Sequence, residues 1–138
     1  MMVEKDAEVF EPLSKAYGLP SGTEEEKAEK ERVMETVLKA ASEAPFGIME
    51  LCMEAIDIVS RFSEIGSRIA ISDAGCAAAC CRAALNAASL NVFINTKLMK
   101  DRAYAEEMNK RAEEMLELGN VKADAVFDRS EEHTSELQ

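Results

Sequence analysis

The sequence predicts an all-α protein, a bundle of about five helices around a buried, Ala-rich central helix. Three observations predict it. Apolar residues recur at helical spacing, and no stretch alternates as a half-buried strand does. Aromatic residues make up only 5% of the 138 residues, with no Trp and 3 Pro. The segments between the breakers are rich in Ala, Glu and Met, all good helix formers. A chain of this length is expected to form one domain that buries roughly 70% of its unfolded surface without staples.

Each element has its own signal. Val9, Phe10, Leu13, Ala16 and Tyr17 follow a helical repeat, so a first helix should run from before Glu4 to about Tyr17. Gly18-Leu19-Pro20-Ser21-Gly22 breaks it. Thr23 and Glu26 form a capping box for a second helix. Its acidic first turn suits the helix dipole, and Val33, Met34, Val37, Leu38 and Ala41 form its apolar face. Pro45 fits the first turn of a third helix. Glu50, Glu54, Asp57, Arg61 and Glu64 form a polar stripe on that helix, and the remaining positions are apolar. It should therefore be buried on most sides and wet along one seam.

Gly66 interrupts the pattern, and Ser72 offers an N-cap for a fourth helix. From Ala74 to Thr96 the only charge is Arg82. The run is long enough to span a bilayer. Its Ala content and its Asn86, Ser89, Asn91 and Asn95 argue instead for close helix-to-helix packing, in a bundle centre or a dimer interface. A last helix carries Tyr104, Met108, Ala112 and Met115 on one face, and Gly119-Asn120 should close it.

The net charge of -11 argues against non-specific nucleic-acid binding and against an anionic membrane surface. Four Cys without a framework pattern suit a reducing cytoplasm. The first residues, Met1-Met2-Val3-Glu4-Lys5-Asp6, lack the apolar core of a signal peptide. The last ten, Arg129 to Gln138, read as the in-frame translation of a common sequencing-library adapter. The expected organisation is a helical domain over 1–128 and a non-native tail over 129–138.

His133 is the only His and lies in that tail, so residues 1–128 contain none. Glu-x-x-His di-metal sites and His-activated nucleophiles are thereby excluded there. Cys76 and Cys80 lie one turn apart and Cys81 points about 100° away from Cys80, a poor zinc cage. No metal is expected, and no phosphate-cradling Gly-rich loop is present. What remains is polar groups in an apolar helix. Asp73 should lie in the first turn, where the dipole favours a carboxylate. Asn91 and Asn95 share a face, as inter-helix hydrogen-bonding residues would. Asp73 and Asn91 also face one way but stand about 27 Å apart along the axis. They would serve opposite ends of a long ligand, or meet across a dimer.

Ser72-Asp73-Ala74-Gly75-Cys76-Ala77-Ala78, then Ala83-Ala84, then Asn91-Val92-Phe93-Ile94-Asn95 resemble the formimidoyltetrahydrofolate cyclodeaminase / methenyltetrahydrofolate cyclohydrolase family. The family pattern there is SDAGVAA, AA and NVxIN. Asp6-Ala7-Glu8-Val9-Phe10 with Ala16-Tyr17-Gly18-Leu19-Pro20 is similar to its D-x-x-x-F and A-Y-x-L-P. Ala40-Ala41 through Pro45-Phe46 is similar to its A-A-x-x-P-L. The resemblance runs from Met1 to about Phe127. Gly66-Ser67 stands where the family has Gly-Asn, and Cys76 where it has Val. Family members begin with a further long helix preceded by Pro-Gly-Gly-Gly-Ser-Val-Ala-Ala. The chain is therefore expected to be a fragment, with an incomplete folate pocket and an apolar face left open.

The resemblance implies an all-α homodimer acting on a tetrahydrofolate derivative. The cyclodeaminase closes the formimidoyl group onto N10 and expels ammonia. The cyclohydrolase adds water to the cationic methenyl carbon and opens the ring to 10-formyltetrahydrofolate. Both reactions need a proton carrier and negative charge beside that carbon. On this reading Asp73 is the catalytic carboxylate. Asn91 and Asn95 orient the pterin or its amide. Lys97, Lys100 and Arg102 meet the glutamate tail, and Asp6 and Tyr17 occupy further family positions. Packing explains Tyr17 equally well, and cations at a helix end explain the basic cluster. The opposing hypothesis is an inactive helical dimerisation module, which would bind no tetrahydrofolate.

Overall fold

The computed structural model describes residues 2–135, without the side chains of residues 2, 3, 5, 6, 68 and 69. Four helices account for the described residues: α1 (Met2–Tyr17), α2 (Glu24–Ile65), α3 (Arg68–Leu98) and α4 (Arg102–Ser135). α3 lies between α2 and α4, and α1 packs on α2. The described residues contain no strand.

The beginning of the chain follows the expectation. α1 ends at Tyr17, and the Thr23 hydroxyl accepts from the Glu26 N–H at 3.1 Å while Glu26 returns a bond to the Thr23 N–H at 3.1 Å. The count of about five helices is corrected at Pro45. The expected second and third helices are one helix of 42 residues, with Pro45 buried inside it. A proline there has no N–H for the carbonyl four residues back, which is Ala41. The Asn95 side chain of α3 supplies the missing donor, its Nδ2 reaching the Ala41 oxygen at 3.3 Å. The break is filled from a neighbouring helix, so α2 runs on.

The last helix also differs from expectation. Gly119-Asn120 does not close it, and α4 continues to Ser135. Gly119 is buried with no positive φ, and a Cβ there would stand 2.5 Å from Leu85 Cδ2 and 2.7 Å from Met53 Sδ. It is Gly because α2, α3 and α4 converge on it. Asn120 exchanges amide bonds with Asn86 of α3, at 2.6 and 3.3 Å. What reads as a stop signal is a packing pair.

The main core lies where α2, α3 and α4 meet. Met49, Ile56, Leu85 and Val92 are fully buried, with Ala78, Ala112 and Ala123 between the helices. A smaller cluster of Leu38, Met99 and Ala105 joins α2 to the α3–α4 corner. Glu35 accepts the Lys100 and Asp101 N–H groups at that corner, at 2.8 and 3.1 Å. Asp101 bonds the Tyr104 N–H at 3.1 Å and pairs with Lys39 at 2.6 Å. The polar stripe of α2 is exposed as expected, and α4 answers it with Arg111 to Glu50 at 3.1 Å and Lys122 to Asp57 at 2.6 Å.

The central position of α3 holds, but its expected burial does not. Only 28% of the apolar 18-residue stretch within Ala70–Leu98 is buried, although the segment is long and apolar enough to cross a bilayer. No described element covers its third side. Cys76 and Cys80 are exposed there.

Three outcomes follow from this packing. Asn95→Ala should cost about 1–2 kcal/mol, because it orphans a buried carbonyl. The same change in a Pro45→Ala background should cost much less, as a double-mutant cycle of thermal unfolding would read. Gly119→Leu should overpack the core by about 2 kcal/mol and lower Tm by roughly 8 °C. The Lys39 ammonium and the Tyr104 N–H hold the Asp101 carboxyl below its ordinary 3.8. Its folded value is thus below its unfolded one, so its contribution is present above about pH 4 and lost as pH falls through the folded value. An Asp101→Asn chain should lose less Tm over that acid range than the parent.

Candidate functional site

Asp73 sits on α3 at the end nearest the α2–α3 turn. Ser72 is not the N-cap as expected. Gly66 ends α2, its N–H donating to the Phe62 oxygen at 2.8 Å, and Ser67 stands at the N-cap position of α3 at once, without a side-chain capping bond. Asp73 therefore lies beyond the first turn, where the dipole helps a carboxylate less. It is exposed and has no ion pair or hydrogen bond among the described residues.

The two amides behave differently. Asn91 is exposed, and its Nδ2 makes one long bond of 3.4 Å to the Ala87 oxygen of its own helix. Asn95 is partly buried and spends one N–H on Ala41. It is an inter-helix hydrogen-bonding residue first.

The basic cluster is mostly committed within the fold. Arg102 donates to the Thr96 and Met99 oxygens at 2.9 and 3.2 Å, closing the C-terminus of α3. Lys100 pairs with Glu31 at 2.5 Å. Lys97 is exposed and carries no partner among the described residues. Tyr17 is half exposed and lines an open cavity of about 330 Å³ along α2 and the α3–α4 corner, with Met34, Leu38, Leu98 and Lys100. The side chain of Asp6 lies outside the described residues.

The structure thus divides the expected set. Tyr17 and Lys100 share the cavity, and Lys97 and Arg102 lie near it on the chain. Asp73 stands alone, about 40 Å from Lys100 by helical rise. Asn91 and Asn95 lie between. A single chain does not bring these residues to one reacting atom. Cys52 and Cys81 add no nucleophile: burial pushes both thiols up, with Cys81 beside Cys52 and Cys80 beside Cys81 adding to it.

Residue patterning alone overlooked two features. Lys30 reaches the Tyr17 and Leu19 oxygens at 2.9 and 3.0 Å and ties the end of α1 to α2. A lysine on an acidic helix carries no signal of that. The other is an open apolar band, with Leu51, Ile58, Phe62 and Ile65 of α2 and Leu90 and Ile94 of α3 all exposed. The repeat of α2 predicts burial on most sides, and these positions show that one such side is open.

Known proteins resemble this chain in sequence and in fold. The formiminotransferase-cyclodeaminase family model matches residues 1–114. A methenyltetrahydrofolate cyclohydrolase of Methylorubrum extorquens is 41% identical over 115 residues, which is 83% of this chain and 55% of that protein. A formimidoyltransferase-cyclodeaminase of Sus scrofa is 28% identical over 130 residues, which is 94% of this chain and 24% of that protein. The crystal structure of a formiminotetrahydrofolate cyclodeaminase from Thermotoga maritima superposes with a TM-score of 0.69 at 25% identity, covering 99% of this chain and 62% of that one. The chain spans about half the length of the bacterial relative and about a quarter of the mammalian one. On these matches, the chain belongs to the formiminotransferase-cyclodeaminase family.

Proposed function

We propose that the protein is a one-carbon folate enzyme, a methenyltetrahydrofolate cyclohydrolase that works as a cytoplasmic homodimer. The observation that carries the reading is the 41% identity to a relative of that name across 83% of the chain. The more distant relatives are named for the cyclodeaminase reaction, whose ring closure yields the methenyl compound that the cyclohydrolase opens. Four free thiols, two of them exposed, suit a reducing compartment.

In this reading Asp73 is the proton carrier. Water adds to the cationic methenyl carbon, and Asp73 takes one proton as the C–O bond forms. On collapse the bond from that carbon to N5 breaks, and N5 receives the proton from Asp73. The hydroxyl proton leaves to solvent, so one proton is released for each water consumed. An exposed, unpaired carboxylate also stabilises the cation before attack. Asn91 offers its outward amide to the pterin. The folate glutamates need a cation, and Lys97 is the member of the basic cluster that the fold leaves unpaired.

Asp73→Asn nearly preserves shape and removes the base. Turnover of methenyltetrahydrofolate, followed by loss of the ring's ultraviolet absorbance above the spontaneous rate, should fall about 10²- to 10⁴-fold with helicity unchanged. Unaltered turnover would remove Asp73 from the mechanism. Absence of any tetrahydrofolate binding by the parent chain would favour an inactive dimerisation module instead.

A further inference from the structure

Two of the four thiols form a pair on α3. Cys76 and Cys80 are free, exposed and four residues apart. Residues at that spacing stand one above the other on a helix, with Cβ atoms about 5–6 Å apart. A disulfide needs about 3.5–4.5 Å between the same atoms, so the helix holds the pair too far apart to oxidise onto itself. The spacing suits a bridged pair instead. Two thiolate–metal bonds in line, each about 2.3 Å, set the sulfurs about 4.6 Å apart. The Cβ–S bonds lean outward from that line and bring the Cβ separation to about 5.5 Å, inside the helical range.

Ligand number then selects the ion. Cys81 lies about 100° around the helix from Cys80, and it packs with Cys52 against the core. It does not join the pair. Among the described residues, no group of three or more His, Cys, Asp or Glu is placed to hold a metal ion. Zinc takes four ligands, and calcium and magnesium take oxygens, so two sulfurs suit none of them. Two soft thiolates suit a two-coordinate d¹⁰ cation, and copper(I) is that ion in a reducing compartment.

The surroundings leave the pair open to such an ion. Ala77, Ala83 and Ala84 beside it are too short to cover the sulfurs, and Ala83 and Ala84 are themselves exposed. Arg82 pairs with Asp124 of α4 at 2.8 Å, so this cation is drawn away from the thiolates. Asp73 stands about one turn before Cys76, exposed, and adds negative charge. Cys76 also stands where the family pattern has Val, so the pair is not part of that pattern.

We propose that Cys76 and Cys80 form a two-coordinate site for copper(I) on α3. Binding exchanges two thiol protons for one copper(I) ion. The protons go to solvent, the loaded pair carries one net negative charge, and no oxidation state changes. The site stands apart from the folate reading, because no step of that reaction uses either sulfur.

Titration of the full, reduced chain with copper(I) under argon tests it, in competition with the coloured chelator bathocuproine disulfonate. The parent should withhold one copper(I) per chain from the chelator. Cys76→Ser and Cys80→Ser should each weaken retention at least about a hundredfold, through loss of one of two ligands. Cys52→Ser and Cys81→Ser should leave it unchanged. Circular dichroism checks that each variant keeps the parent's helicity, and X-ray absorption should show copper between two sulfurs in line. Absence of retained copper would overturn the proposal. So would retention by both Cys76→Ser and Cys80→Ser, loss with Cys81→Ser, or displacement of the copper by zinc. A copper ion that bridges two chains, read by sedimentation of the loaded protein, or a Cys76–Cys80 disulfide formed on mild oxidation would count against it equally.

Discussion

A single carbonyl sets the architecture. Pro45 cannot donate to Ala41, and an orphaned carbonyl inside the bundle would break the helix or admit water. Asn95 closes that gap from α3. Because it does, α2 is one rod of 42 residues rather than two shorter helices. The same contact fixes the slide and roll of α3 against α2. With Asn95 turned to Ala41, Leu85 and Val92 point into the core, while Asp73 and Lys97 point out. The corner contacts of Glu35 with the Lys100 and Asp101 N–H groups hold the same register farther along.

Close approach is the second constraint. With few aromatics, the chain cannot fill wide gaps between helices. It narrows them with Ala74, Ala78, Ala88, Ala112 and Ala123, and with Gly119 where three helices meet. Polar pairs such as Asn86 with Asn120 then lie within reach and add direction to a surface that shape alone would specify weakly.

Local chemistry was the legible part. The capping box at Thr23, the break after Tyr17 and the wet stripe from Glu50 to Glu64 each depend on residues near in sequence, and each stands in the structure. Signals with two physical uses were misread. A proline opens a helix or sits inside one if a distant side chain compensates, and only the tertiary fold places Asn95 there. Glycine ends a helix or makes room for a neighbour, and Gly119 does the second. Ser72 offers a cap, but the tight turn at Gly66 starts α3 before it is needed. For the site, residue types and order resembled the family strongly enough to name Asp73 and the amides. Their separation along α3 was readable from helical rise. The commitments of Arg102 and Lys100 were not, because each partner is a backbone carbonyl or a residue on another helix.

The two cores differ greatly in size, and that has a consequence for the cavity beside Tyr17. Among its described side chains, α1 contributes one fully buried residue, Ala16, and the partly buried Val9 and Leu13. Its end is tied down by Lys30 to two carbonyls at the surface. This wall of the cavity is held by little apolar area and by polar contacts that water competes for. Local opening there costs far less than unfolding the main core. Tyr17 is the one residue that α1 gives to the lining, so detachment of this short helix would widen the cavity's mouth by a single side chain while α2, α3 and α4 stay folded.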